Sequence, residues 1–456
     1  MELLDRLRAI VGSEGLLTGE AVRARAIGWA NSGSCRALAI ARPASTEQLS
    51  AVLAACNGAG QSVVPMGGLT GLVRGAVAGS GEIGLSLERM NRIEAVDASD
   101  RTMRVQAGAT LQSVQEAAGR EGLLFALDLG ARGSASIGGN AATNAGGNRV
   151  IRYGMMRELV LGLEAVLADG TVISSLNRMI KNNAGYDLKQ LFIGTEGTLG
   201  VITRLVLRLH PEPQSHQTAL LACSRFEQVT GLLGRLDSLL GGAMSSFEVM
   251  WRDFYALVTT PPAAGRSPIG GDYPYYVIVE AQGGDPAGDP ARFEQGLATA
   301  AGEGRFDDAV IASSVAQRDA IWALRDDVGR LFGLGHPFVF DISLPVAEME
   351  GYVAEVHRSL AERLPEERCF TFGHLGDGNL HFVVVGSAGP EARQTVEEAV
   401  YRPLAARQGS VSAEHGIGIE KRAWLPLSRS PNEIALMRRL KQALDPRGIL
   451  NPGRVF

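Results

Sequence analysis

An α+β fold is predicted, from three observations. Short strands and helices alternate up to Pro211 and Pro213, and beyond those prolines come longer helices with strands between them. The second pattern is that of helices packed on an antiparallel sheet. Glycine is abundant, 57 of 456 residues, and is clustered rather than spread. Clustering of that kind marks loops where backbone must come close to a ligand.

The elements follow in order. Residues 1–8 start an amphipathic helix, without the apolar core of a signal peptide. Ala37 to Ile40 is a strand. Ser45-Thr46-Glu47-Gln48 is a capping box opening a helix through Ala55. Ser62-Val63-Val64-Pro65 is a short strand leading into a glycine cluster. Leu161 to Leu167, Asp169-Gly170 and Val172-Ile173 form a tight hairpin, and Leu199 to Leu209 is a strand ended by the prolines. Helices are expected over Phe226 to Leu240, Ala316 to Phe332 and Val346 to Arg363, with strands at Tyr275 to Ala281 and Phe338 to Leu344. Thr259 to Asp272 and Gly283 to Asp289 read as surface loops. Asn432 to Leu444 is a helix before a Gly- and Pro-containing end.

Composition narrows the function classes. The length fits two or three domains. A net charge of -5, without any Lys/Arg run, argues against nucleic acid or an anionic membrane as partner. Cys35, Cys56, Cys223 and Cys369 make no CxxC pair, so free thiols in a reducing, cytoplasmic compartment are expected. No apolar run is long enough to span a membrane, and peripheral association stays open.

Four glycine clusters lie in the first half. They are Pro65-Met66-Gly67-Gly68-Leu69-Thr70-Gly71-Leu72, Gly133-Ser134-Ala135-Ser136-Ile137-Gly138-Gly139-Asn140, Asn144-Ala145-Gly146-Gly147 and Gly194-Thr195-Glu196-Gly197-Thr198-Leu199-Gly200. Consecutive backbone amides with small hydroxyls bind phosphate oxygens and carbonyl edges. None has the glycine spacing of a Rossmann fingerprint or a P-loop. One such cluster alone is an ordinary turn. Four together point to a large multi-ring ligand with a diphosphate.

Three of the seven histidines sit in two short stretches, Phe372-Gly373-His374-Leu375-Gly376-Asp377-Gly378-Asn379-Leu380-His381 and Ser412-Ala413-Glu414-His415-Gly416. The first reads as a hairpin between Cys369–Phe372 and Phe382–Val385, with Gly376 to Asn379 as its loop. That loop would set Leu375 opposite Leu380 and His374 opposite His381, with Cβ atoms about 5 Å apart. Two imidazoles and a carboxylate make an open divalent-metal site. Glu414 is the candidate carboxylate, and His415 is left as a base. A polar surface turn is the competing reading of the fragment by itself.

The four clusters, Gly373-His374, Glu414-His415-Gly416 and Leu450-Asn451-Pro452-Gly453 together resemble the FAD-linked D-2-hydroxyacid dehydrogenases of the vanillyl-alcohol-oxidase superfamily, from about Cys35 to Phe456. The resemblance implies an N-terminal segment (1–34), a two-lobed PCMH-type FAD-binding domain (35–213), an antiparallel-sheet cap that binds substrate (214–410) and a C-terminal helical segment returning to the flavin (411–456). It implies FAD contacts from Pro65, Met66, Gly67, Gly68, Leu69, Thr70, Gly71, Leu72, Ser134, Ser136, Ile137, Gly138, Gly139, Asn144, Gly147, Glu196, Gly197, Gly200, Val201 and Asn451. The first histidine, His210, follows every flavin cluster, so FAD is expected to be dissociable. A divalent metal, zinc with manganese as the alternative, would be held by His374, His381 and Glu414. His415 would be the general base in contact with substrate, alongside His374, and Arg325 would grip the substrate carboxylate. An Arg325 paired with Asp326 or Asp327 on a solvated helix is the competing reading.

The substrate is then a D-2-hydroxy acid, oxidised to the 2-oxo acid by hydride transfer to flavin N5. Electrons would pass to an external quinone, electron-transfer flavoprotein or cytochrome, from a monomer or a homodimer. Two positions depart from the D-2-hydroxyglutarate enzymes. Val339 stands where they carry Lys, and Val383 where they carry Asn. Burying a second carboxylate against apolar groups is costly. This favours a monocarboxylic acid such as D-lactate, unless Arg330 or His336 compensates. The alternatives are D-2-hydroxyglutarate itself, a metal-independent flavin oxidase of sugars or polyols, and a non-catalytic FAD-binding module.

Overall fold

The computed structural model describes residues 2–28, 33–386 and 388–456. Met1 and residues 29–32, within the expected 1–34 segment, lie outside the described residues. The chain divides into two compact units, Met1–Gly146 with Gly154–Glu212 and Glu414–Phe456, and Gly147–Tyr153 with Pro213–Ala413. The class is α+β.

The first unit carries two main sheets. In one, Val63–Met66 runs parallel to Ile83–Ser86, which runs parallel to Ala39–Ala41, with Leu16–Leu17 antiparallel at the edge. Helix Thr46–Ala59 packs on helix Glu2–Val11 and on strand Val160–Val166. Ser45 caps the helix by accepting the Gln48 amide at 3.3 Å. The Gln48 side chain takes the Ala44 amide instead of that of Ser45, so the expected capping box is shifted by one residue. The helix runs past Ala55 because the stop is Gly60, which takes the left-handed conformation at φ 65°.

The other sheet is antiparallel, in the order Ile93–Asp97, Thr102–Gln106, Val201–Arg208, Val160–Val166, Val172–Ser175. The hairpin at Asp169-Gly170 forms as read, with Gly170 at φ 91°. The end of the chain returns to this unit. Leu450 bridges Val63, and Lys441 Nζ donates to the carbonyls of Thr198 and Leu450 at 2.8 and 2.6 Å.

The second unit is built on a seven-stranded antiparallel sheet. Its order is Asp308–Ile311, Ser215–Cys223, Tyr275–Gly283, Met244–Trp251, Arg368–Gly373, Asn379–Gly386, His336–Ser343. Helices Phe226–Leu240, Asp289–Gly302, Val315–Asp326, Met349–Arg363 and Pro390–Tyr401 accompany it. The single helix expected over Ala316 to Phe332 is broken. It ends at Asp326 and a short helix, Gly329–Phe332, follows. Two acids, Asp326 and Asp327, oppose the negative end of the helix dipole, and Gly329 loosens the next turn.

Candidate active site

The histidine hairpin forms, but its register differs from the expected one. His381 pairs with Phe372, and Thr371 with Phe382. His374 therefore lies two residues beyond the pairing that would face His381, in a loop that runs from 374 to 378. Its carbonyl accepts the Asn379 amide at 3.2 Å, Leu375–Asp377 makes a 3₁₀ turn, and Gly378 closes it at φ 82°. Asp377 Oδ1 also takes the Asn379 amide. Gly373 permits the close approach, because a Cβ there would sit 2.4 Å from the Asn379 carbonyl oxygen. The two histidines become diagonal neighbours, still within reach of each other. Their ring centroids are 5.2 Å apart at 85°, and a ring nitrogen of each lies within 4.8 Å of the other. Both side chains are buried.

Glu248, which the sequence reading did not single out, organises this end of the sheet. It lies mid-strand in Met244–Trp251 and is 1% exposed. One carboxylate oxygen takes His374 Nδ1 at 2.7 Å, and the other takes Arg325 Nε at 2.9 Å. Burial pushes the Glu248 carboxyl up. The charges of His374 and Arg325 and their hydrogen bonds outweigh this and hold it below the usual carboxylate range. A histidine whose Nδ1–H is given to a carboxylate presents Nε2 for a metal. The donor chemistry therefore fits a divalent cation.

Arg325 is buried, so the solvated-helix reading fails for it. Its partner is Glu248 and its guanidinium lies 4.7 Å over the Phe372 ring. Among the described residues its two terminal nitrogens donate to no protein acceptor. The available signal for Glu248 was an acid inside an apolar strand, which demands a partner.

Asp341, wholly buried, pairs with His381 in the ladder on the other side. Its Oδ2 accepts the Ala413 amide at 2.9 Å and Ser412 Oγ at 3.4 Å. Ser410 and Ser343 exchange backbone hydrogen bonds at 2.7 and 3.2 Å. Residues 410–413 are thus strapped to the strand next to His381, and Glu414 is the next residue along the chain.

In the first unit the glycine clusters converge. A Cβ on Gly68 would fall 1.9 Å from the Ser134 carbonyl oxygen, and one on Gly67 2.4 Å from Ser136 Oγ. Among the described residues, the amides of Gly67, Gly68, Leu69 and Gly71 donate to no protein acceptor. Such a row of amides suits a diphosphate. The amides of Ile137, Gly138 and Gly139 are used internally, by Ala109, Ala107 and Ser136. Asn144 sits at φ 51° and accepts the Arg157 amide. Gly197 packs on Pro65, and Gly200 on Phe192, leading into the strand that begins at Val201. Asn451 Nδ2 donates to the carbonyls of Glu196 and Gly75 at 2.6 and 3.1 Å. Gly147 falls in the other unit.

Glu196 does more than was expected of it. Its carboxylate accepts the amides of Ile417 and Gly418 at 2.6 and 2.9 Å, just after Glu414-His415-Gly416. Burial raises its pKa, against the lowering effect of those two amides and of Lys421.

Comparison with known proteins agrees with this architecture. Residues 212–455 match the family described as FAD linked oxidases, C-terminal domain, and residues 37–175 match an FAD binding domain. The chain is 39% identical over 434 residues to a D-2-hydroxyglutarate dehydrogenase of Xanthomonas citri, covering 94% of this chain and 91% of that one. It is 38% identical to the mitochondrial D-2-hydroxyglutarate dehydrogenase of Bos taurus, covering 91% and 76%. Among solved structures, substrate-bound p-cresol methylhydroxylase superposes with a TM-score of 0.79 at 17% identity, covering 100% of this chain and 96% of that one. Alkyldihydroxyacetonephosphate synthase gives 0.76 at 16%, covering 99% and 84%. The chain belongs to the FAD-linked D-2-hydroxyacid dehydrogenases, oxidoreductases acting on a CH–OH group.

Proposed function

We propose that this enzyme oxidises a D-2-hydroxy acid with dissociable FAD and a divalent metal, zinc or manganese, held by His374, His381 and Glu414. The observation that carries the metal reading is the His374–His381 pair with Nδ1 of His374 already committed to Glu248. When bound, FAD supplies the hydride acceptor and the metal supplies a Lewis acid for the developing alkoxide. The chain's own residues do the rest. Arg325 holds the substrate carboxylate through its two terminal nitrogens. His415 takes the hydroxyl proton as C2 gives up its hydride. Gly67 to Gly71 hold the FAD diphosphate. Electrons leave to an external quinone, electron-transfer flavoprotein or cytochrome.

D-2-hydroxyglutarate is the first reading of the substrate, supported by the names of the relatives. One observation favours a monocarboxylic acid such as D-lactate instead. Val339 faces Val383 in the sheet, packed in an apolar cluster with Phe370 and Phe372. His336 begins its strand five residues from Asp341, roughly 17 Å away at the rise of a strand. Arg330 donates to the Pro262 carbonyl, so neither replaces the missing lysine. The four cysteines are free. No helix among the described residues is long and apolar enough to cross a membrane. The test is His415→Asn. It should keep FAD and lose turnover by roughly 100-fold or more. Full turnover in that variant would remove His415 from the mechanism.

A further inference from the structure

We infer that Glu248 is a positioning residue that aims His374 and Arg325 together, so that metal affinity and grip on the substrate carboxylate are coupled through one buried side chain. The inference rests on the metal reading above.

The backbone fixes where Glu248 points. Val249 is paired with Gly373, so one further step of the same register brings Glu248 opposite His374. On its other side Glu248 is paired with Ile278. Strand Met244–Trp251 is thus held from both edges, and the carboxylate has little room to turn. An ionised carboxylate only accepts hydrogen bonds. Each of its oxygens has one donor, His374 Nδ1 or Arg325 Nε.

Arg325 reaches Glu248 from helix Val315–Asp326, and that helix is indexed at a second point. Trp322, three residues earlier on the same face, donates its Nε1 to Glu280 at 3.1 Å. Glu280 is 1% exposed and is itself held by Ser245 Oγ at 3.0 Å, Gln282 Nε2 at 3.1 Å and Arg149 Nε at 3.3 Å. Two buried glutamates on adjacent strands thus set the helix one turn apart. With Nε committed, the guanidinium offers Nη1 and Nη2 as a fork. Losing either donor leaves the buried carboxylate half-satisfied, which strains the remaining one. A change at Arg325 is therefore felt at His374.

The test measures metal affinity directly, by competition of zinc or manganese with a chromophoric chelator on the FAD-loaded protein, and separately KM and kcat. Glu248→Gln should weaken metal binding about 10- to 100-fold, the range for an outer partner of a ligating histidine. Its KM should stay raised even at saturating metal. Arg325→Lys, whose side chain is no metal ligand, should also weaken metal binding, by at least 3-fold. Should Glu248→Gln fail to fold, Arg325→Lys and Glu248→Asp carry the same readout. Wild-type metal affinity in Arg325→Lys would overturn the coupling, as would wild-type metal affinity and KM in Glu248→Gln. A wild-type protein that binds neither zinc nor manganese would instead sink the metal reading, and the coupling with it.

Discussion

His374 and His381 meet edge to face, 5.2 Å between ring centroids, although no ladder pair joins them. The meeting is made by a loop from 374 to 378, one strand carrying His381 and the glycine at 373 that lets the strands close. Glu248 and Asp341 flank the pair, the first through His374 Nδ1 and the second as the ladder partner of His381. Two acidic side chains thus sit beside the two imidazoles, and one of them, Glu248, is paired with Arg325.

Arg325→Lys should raise KM for the hydroxy acid and lower kcat/KM by about 10- to 100-fold. A lysine cannot keep the bond to Glu248 and offer a planar fork as well. Steady-state kinetics with FAD and metal saturating will read this.

Val339→Lys combined with Val383→Asn should shift preference towards D-2-hydroxyglutarate, by roughly 10-fold or more in the ratio of kcat/KM to that for D-lactate. The two positions are directly opposed in the sheet. They put a cation and an amide where the surroundings are now apolar, sparing a distal carboxylate its desolvation cost. An unchanged ratio would place the distal group elsewhere.

Gly68→Ala should purify with little FAD. The added Cβ must displace the Ser134 carbonyl, which it would approach to 1.9 Å, and so opens the row of amides from Gly67 to Gly71. The ratio of flavin to protein absorbance measures it directly.

Glu82 and Arg454 give a pH prediction for stability. Arg454 donates to both Glu82 oxygens, at 2.6 and 3.0 Å, tying the end of the chain to the first unit. Burial raises the Glu82 pKa, but Arg454 and the Gly79 amide outweigh it, and the net shift is downward from 4.5. The unfolded chain therefore binds the proton more readily. The contribution is present above pH 4.5 and is lost as pH falls through the folded pKa. Glu82→Gln should cost about 1–3 kcal/mol near neutrality. Its Tm should converge with that of the wild type on acidification.

Much of this was legible because it is local. Ser45, the Asp169-Gly170 turn and the hairpin strands each declare themselves within a few residues. The loop length of the histidine hairpin did not, because Asp377 and Gly378 support either a four-residue turn or the wider one that forms. Glu248 was missed because its partners lie 126 and 77 residues away, and only the sheet order brings them together. The same holds for Glu196, whose carboxylate meets amides more than 220 residues further on. Asp327 and Gly329 carried the helix break openly, yet the apolar period of the flanking residues masked it.

The most direct measurement is anaerobic reduction of the purified protein's flavin by D- and L-2-hydroxy acids, before and after treatment with a chelator. Metal-assisted oxidation at His374, His381, Glu414 and His415 predicts bleaching by D-acids alone, abolished by chelation and restored by zinc or manganese. Bleaching that survives chelation would contradict it and leave the two histidines a structural role.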